Sequence, residues 1–175
     1  SWEGGNNGTT YAFPSGWLNR PFKVAFVDFL SSWTVLRQKT NESTVLYAVA
    51  EVVKVLAMHK TTDIYGPIPY TRFGRVTPVP YDSQEEVYKA FFKELDHAIG
   101  IMTEYDAANP DTKPLEKFDL IYNGEISKWI KFANSLKLRL AMRVSKVYSE
   151  AQQIAEAAVN NKYGVIENNT DNPVM

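Results

Sequence analysis

Cysteine is absent from the chain. That excludes a disulfide scaffold and any thiolate metal site, and it leaves the compartment unreadable from redox chemistry. Histidine is scarce, with His59 and His97 the only two. His59 and Asp63 stand four apart, but a metal site needs more ligands than that and no HExxH-type motif is present. Both histidines therefore read as surface residues. The net charge is only −1. A phosphate-binding surface needs a basic surplus, so nucleic acid is excluded as a partner. No apolar run approaches the roughly 20 residues that span a bilayer. The glycine signatures of nucleotide-binding loops and of serine hydrolases are missing too. No cofactor and no catalytic set is expected.

What remains is ordinary globular composition, 45% hydrophobic and 22% charged over 175 residues. That length can bury a sizeable single core. The chain opens at Ser1 without a signal pattern and closes in the loop-like Asn172-Pro173-Val174-Met175, so it reads as a piece of a longer protein. Aromatics reach 13%. Rings serve cores first, but amphipathic rings also suit recognition of sugars and proteins.

Periodicity predicts an all-α chain. Residues 1–21 are rich in Gly, Asn and Pro and read as loop. Phe22, Phe26, Phe29, Trp33 and Leu36 suggest a helix over 22–37, although Val24 and Val27 also suit a strand. A helix over 42–60 carries Val45, Leu46, Val49, Val52, Val53 and Leu56 on one stripe, with Asn41 as its N-cap. Pro67, Pro69, Pro78 and Pro80 make 61–82 a long connection. Ser83 and Glu86 form a capping box for a helix over 84–103. Residues 104–124 read as loop, and 125–147 as a helix apolar nearly all round. A short helix follows over 150–161, then a turn at Gly164 and a brief strand at Val165-Ile166.

Charge supports neighbouring helices. Residues 84–106 hold six acids against two bases, and 125–146 hold one acid against six bases. Opposite signs favour antiparallel packing of these two helices, at about 0–1 kcal/mol per exposed pair. Two separately solvated faces would give the same pattern.

Three stretches could carry function. Loop 61–82 places Tyr65, Tyr70, Phe73 and Tyr81 among prolines; the rings either pin the loop to the helices or form an aromatic shelf. In 1–21, Trp2, Tyr11 and Trp17 with Asn6 and Asn7 match sugar-binding chemistry, because rings stack on a pyranose and amides satisfy hydroxyls. A packed tail is the alternative. The oxygen-rich run 167–172 lacks the spacing of a calcium loop and reads as a polar turn.

Three strings carry a resemblance. Asp63-Ile64-Tyr65-Gly66-Pro67-Ile68-Pro69-Tyr70 follows a helix. Tyr81 to Ala98 opens the next one. Trp129-Ile130-Lys131-Phe132-Ala133-Asn134-Ser135-Leu136-Lys137-Leu138-Arg139-Leu140-Ala141-Met142-Arg143 is the most specific. Order and spacing over about 60–166 resemble the SusD/RagB family. The resemblance implies degenerate tetratricopeptide-like helical hairpins with long loop insertions. It divides the chain into a 1–21 loop segment and a helical region over 22–175 that is truncated relative to the family. It also implies a role: a lipid-anchored, surface-exposed outer-membrane protein that binds oligosaccharide without catalysis and delivers it to a SusC-like TonB-dependent transporter. The alternative is a helical protein–protein adaptor or a peptide-binding lid subunit of that transporter. By the same resemblance, Arg139 and Arg143 are scaffold positions that anchor loops, and residues 1–21 neighbour a ligand loop.

Overall fold

The computed structural model describes residues 15–172. Its helices are α1 (Ser15–Lys23), α2 (Leu30–Lys39), α3 (Val45–Tyr65), α4 (Gln84–Ala108), α5 (Ile126–Val144) and α6 (Ala151–Val159). A π-helical stretch, Val24–Phe29, joins α1 to α2, and a 3-10 turn spans Asn169–Asp171.

The first predicted helix is thus longer than its pattern. Helix begins at Ser15, inside the stretch expected to be loop, and runs through Pro21. Proline removes one N–H from the ladder, and the wide π turn follows three residues later. The π turn keeps Ala25 and Phe26 facing the core.

The helices α3, α4 and α5 pack as successive antiparallel hairpins. Tyr88 reaches Asp63 and Glu94 reaches Lys54, so α3 and α4 run in opposite senses. Lys137 meets Asp96 across α4 and α5, which joins the acidic helix to the basic one. Helix α6 folds back on α5. The core is one cluster, with Phe91, Leu95, Trp129, Ile130 and Leu140 at its centre.

Local chemistry explains the ends. Ser83 and Glu86 form the reciprocal capping box at α4, worth about 1 kcal/mol. At α3 the cap is Thr44, whose hydroxyl accepts from Tyr47 N. Asn41 accepts from Ser43 in the preceding turn instead. Helix α3 continues to Tyr65, so the proline-rich connection starts at Gly66, and α4 continues to Ala108, past its predicted end.

Two further expectations are corrected. His59 is 1% exposed, not on the surface. Its Nδ1 lies 3.3 Å from the Val55 carbonyl oxygen, and burial pushes its pKa below the ordinary histidine value. The strand at Val165-Ile166 does not form. Ile166 N donates to Ser135 Oγ at 2.8 Å, and Asn134 Nδ2 donates to Gly164 O at 2.9 Å. Helix α5 therefore holds this segment through side chains. Among the described residues the only β-type pairing is an isolated antiparallel bridge, Ile68 to Asp82.

Candidate functional site

That bridge organises the 66–83 loop. Asp82, itself buried, accepts from Tyr70 N (2.9 Å), Thr71 N (2.7 Å) and Thr71 Oγ1 (2.7 Å). The loop is thereby folded back onto the helices. At its tip Gly74 has φ +70°, and a Cβ there would meet Thr34 Oγ1 at 3.0 Å. Only glycine lets the loop lie this close to α2.

Beneath the loop is a cavity of about 310 Å³, bounded by α2, α3 and α4. Tyr47, Glu51 and Lys54 enter it from one face of α3, since spacings of four and three share a helix face. Glu94 and His97 enter from α4. Lys54 Nζ lies 2.7 Å from Glu94 Oε1 and 4.5 Å from the centre of the Trp33 ring. The Tyr70 hydroxyl donates to the other Glu94 oxygen. Glu51 Oε2 lies 2.7 Å from His97 Nδ1. Every buried charge on the floor therefore has a partner.

Burial sets the titration of this floor. It pushes the Glu51 carboxyl up, although the His97 hydrogen bond and Lys54 pull the other way. Burial, then Glu51, pushes Tyr47 up to about 12. Burial, then Glu94, pushes Tyr70 well above the ordinary phenol value. Both phenols stay protonated and can only donate or accept as neutral hydroxyls.

The predicted aromatic shelf is not one open surface. Tyr70 and Phe73 line the cavity, and Tyr70 is buried. Phe73 packs against Phe26 at 5.8 Å, Phe26 against Phe22, and Phe22 edge-on against Tyr65 at 5.3 Å. This chain of rings fastens the loop and the end of α3 to α1 and the π turn, which removes apolar area from water. Only Tyr81, 62% exposed, stands open. Trp2, Asn6, Asn7 and Tyr11 lie outside the described residues, as does the Trp17 side chain.

A second anchor lies at the other end of α3. Arg143 Nη2 pairs with Asp63 Oδ2 at 2.7 Å, and Tyr88 Oη donates to Asp63 Oδ1 at 2.7 Å. Arg143, although exposed, thus ties α5 to the residues entering the loop; Arg139 is exposed as well. In the run 167–172, Asp171 pairs with Lys131 at 3.1 Å. No metal-type cluster of acids and histidines occurs among the described residues.

Sequence reasoning missed the cavity's polar set: Trp33, Arg37, Lys54, Arg75, Lys93 and Glu94. The available signal was Tyr47, Glu51 and Lys54 interrupting an otherwise valine-rich helix on one face.

A stack of helical hairpins that carries an inserted loop over a polar cavity is a scaffold for presenting irregular segments. The chain belongs to the SusD-like family, described as Susd and RagB outer membrane lipoprotein, which it matches over residues 1–175. The solved structures agree. A chitin-binding SusD homologue from Flavobacterium johnsoniae superposes with a TM-score of 0.89 at 37% identity, over 98% of this chain and 36% of that one. A SusD homologue from Bacteroides uniformis is 44% identical, with a TM-score of 0.72 over 89% of this chain and 31% of its own. A SusD-like protein from Bacteroides thetaiotaomicron gives 0.85 at 34% identity, over 93% and 34%. This chain therefore spans about a third of the length of these relatives. No curated protein sequence matches it.

Proposed function

We propose that the chain is part of a non-catalytic component that captures oligosaccharides at the outer-membrane surface and hands them to a SusC-like TonB-dependent transporter. The observation that carries this reading is the fit of nearly the whole chain to a chitin-binding SusD homologue. The family description, an outer membrane lipoprotein, supports a surface-exposed, lipid-anchored location.

In this reading the helical hairpins are a rigid support and the irregular segments grip the cargo. The proposed contacts are Trp2, Asn6, Asn7 and Tyr11, Trp17 from the first turn of α1, and Tyr81 as the exposed ring of the second loop. Rings would stack on the apolar faces of pyranoses, and amides would satisfy hydroxyls. Isothermal titration of the full chain with chitooligosaccharides and with neutral glucans tests this. Trp17→Ala should weaken the bound glycan about tenfold if one stacking contact is lost, with an unchanged thermal transition. Unchanged affinity removes Trp17 from the site, and no binding of any glycan removes the function.

One observation favours the second reading, a helical adaptor or peptide-binding lid subunit. Phe118 and Leu120 are 83% and 90% exposed, beside a groove lined by Leu46, Val49 and Val53. An exposed apolar patch of this kind suits a protein partner. Copurification with a large barrel protein in the absence of sugar, lost on Leu120→Asp, would support the adaptor reading.

A further inference from the structure

We propose that the cavity under the 66–83 loop binds a carboxylate-bearing saccharide, such as a uronic acid unit. The floor and the rim of this cavity differ. On the floor, Lys54 is matched by Glu94 and Glu51 by His97, so those charges are satisfied within the protein. At the rim, Arg37, Arg75 and Lys93 line the same cavity. None of the three makes an ion pair or side-chain hydrogen bond among the described residues. Glu42 is the one rim acid without such a partner. An entering ligand therefore meets a positive excess on side chains that are unpaired among the described residues.

The loop geometry builds that rim. Gly74 brings the loop against Thr34, and the Arg37 guanidinium lies 3.6 Å from where a Gly74 Cβ would be. Arg75 follows directly and lines the same cavity, so the loop brings a second guanidinium to the mouth beside that of Arg37. Guanidinium forks match a carboxylate in geometry and bind it bidentately. Phe73 and Leu30 supply an apolar wall for the C–H face of a sugar ring. About 310 Å³ is at the small end of ligand cavities, which fits one or two sugar units and not a packed polymer. That the anion is carried by a saccharide rests on the glycan-binding reading. That it is an anion rests on the cavity alone.

The test is calorimetric titration of the full chain, at low ionic strength, with glucuronate, glucose and glutarate. Glucuronate should bind at least tenfold tighter than glucose. Arg75→Ala and Lys93→Ala, both exposed positions, should each weaken glucuronate by about tenfold without moving the thermal transition. Added salt should weaken it as well, and Arg75→Lys should retain part of the affinity. The proposal is overturned by absent glucuronate binding, by equal binding of glucose, or by indifference to both alanine variants. Glutarate binding as tightly as glucuronate overturns the saccharide assignment. Chitooligosaccharide binding that both variants leave intact, with glucuronate unbound, overturns this site and leaves the glycan-binding reading standing.

Discussion

Two regions of the molecule hold a carboxylate away from water, and they do it in opposite ways. In the seam between α3 and α4, Glu51 faces a histidine and a lysine, and burial still pushes its carboxyl up. In the α4–α5 connection, Asp119 is also pushed up by burial, but four hydrogen bonds outweigh this and leave it below its ordinary value. The donors are Trp129 Nε1 at 2.7 Å and the backbone N–H groups of Gly124 (2.9 Å), Ile121 (2.9 Å) and Tyr122 (3.1 Å). The difference is in the partners. Asp119 is wrapped by N–H donors that favour its charged form, whereas Glu51 has a single close donor and little water. Gly124 makes the wrap possible, because φ is +77° there and a Cβ would fall 2.7 Å from Glu116 N. The Asp119 wrap is a fixed structural knot that orients the core Trp129. The seam is a network of mutually dependent charges beside a cavity.

The contrast breaks most visibly at Lys54. Removing one partner of a buried ion pair strands the other, at a cost of about 3–5 kcal/mol. Lys54→Ala should show this in urea denaturation, because Glu94 would keep only the Tyr70 hydroxyl. Lys54→Met combined with Glu94→Gln should recover most of the loss. A single-variant cost under about 1 kcal/mol would mean that solvent reaches the seam freely.

Asp119→Ala should come next, at about 2–3 kcal/mol, from stranding the Trp129 indole and three backbone donors. The pH dependence carries a sign. The folded-state pKa of Asp119 lies below its unfolded value, so its stabilisation is present above the unfolded pKa and is lost as pH falls through the folded one. The penalty of Asp119→Asn should therefore be full at neutral pH and shrink in acid, below about pH 4. Glu51 is the mirror case. Its folded pKa is raised, so the wild type is relatively favoured below the unfolded value and loses that advantage as pH rises through the folded one. In urea denaturation, Glu51→Gln should therefore gain on wild type as pH climbs from about 4 to 7. Parallel pH slopes for the two variants would erase the distinction between the regions.

How much of this could be read beforehand depended on the range of the interaction. The capping box at Ser83 and Glu86 is local, and it was legible. So was the acidic α4 against the basic α5, which the Asp96–Lys137 pair joins. The π turn was not legible, because Val24 and Val27 fit helix and strand alike and Pro21, seven residues into α1, does not stop the helix. Asn41 and Thr44 both carry capping oxygens; which one caps α3 depends on the turn that Asn41 closes with Ser43. His59 looked like a surface residue, since nothing local shows that its face of α3 is covered. The cavity had the same problem: Tyr47, Glu51 and Lys54 on one helix face look solvated until Glu94 and His97 arrive from a segment 40 or more positions away. The rings of the 66–83 loop were visible in the sequence, but whether they pin or present depends on Phe22 and Phe26, and only packing decides that.

The smallest expected effect lies just beyond the Asp119 knot. Phe118 and Leu120 flank Asp119 and point outward at 83% and 90% exposure, so the same turn that ties down one half-buried side chain exposes its neighbours. Leu120→Ser removes almost no buried area and should change stability by less than about 0.5 kcal/mol. Unfolding measured at several protein concentrations checks this. If the loss exceeds about 1 kcal/mol and grows with concentration, Leu120 is covered in solution by another copy of the chain. If it is that large at every concentration, Leu120 belongs to the knot, and the turn is more tightly coupled to its surface than the exposed side chains indicate. A null effect with a full Asp119→Ala penalty locates the stabilisation in the donors around one carboxylate and leaves the apolar rim free for other uses.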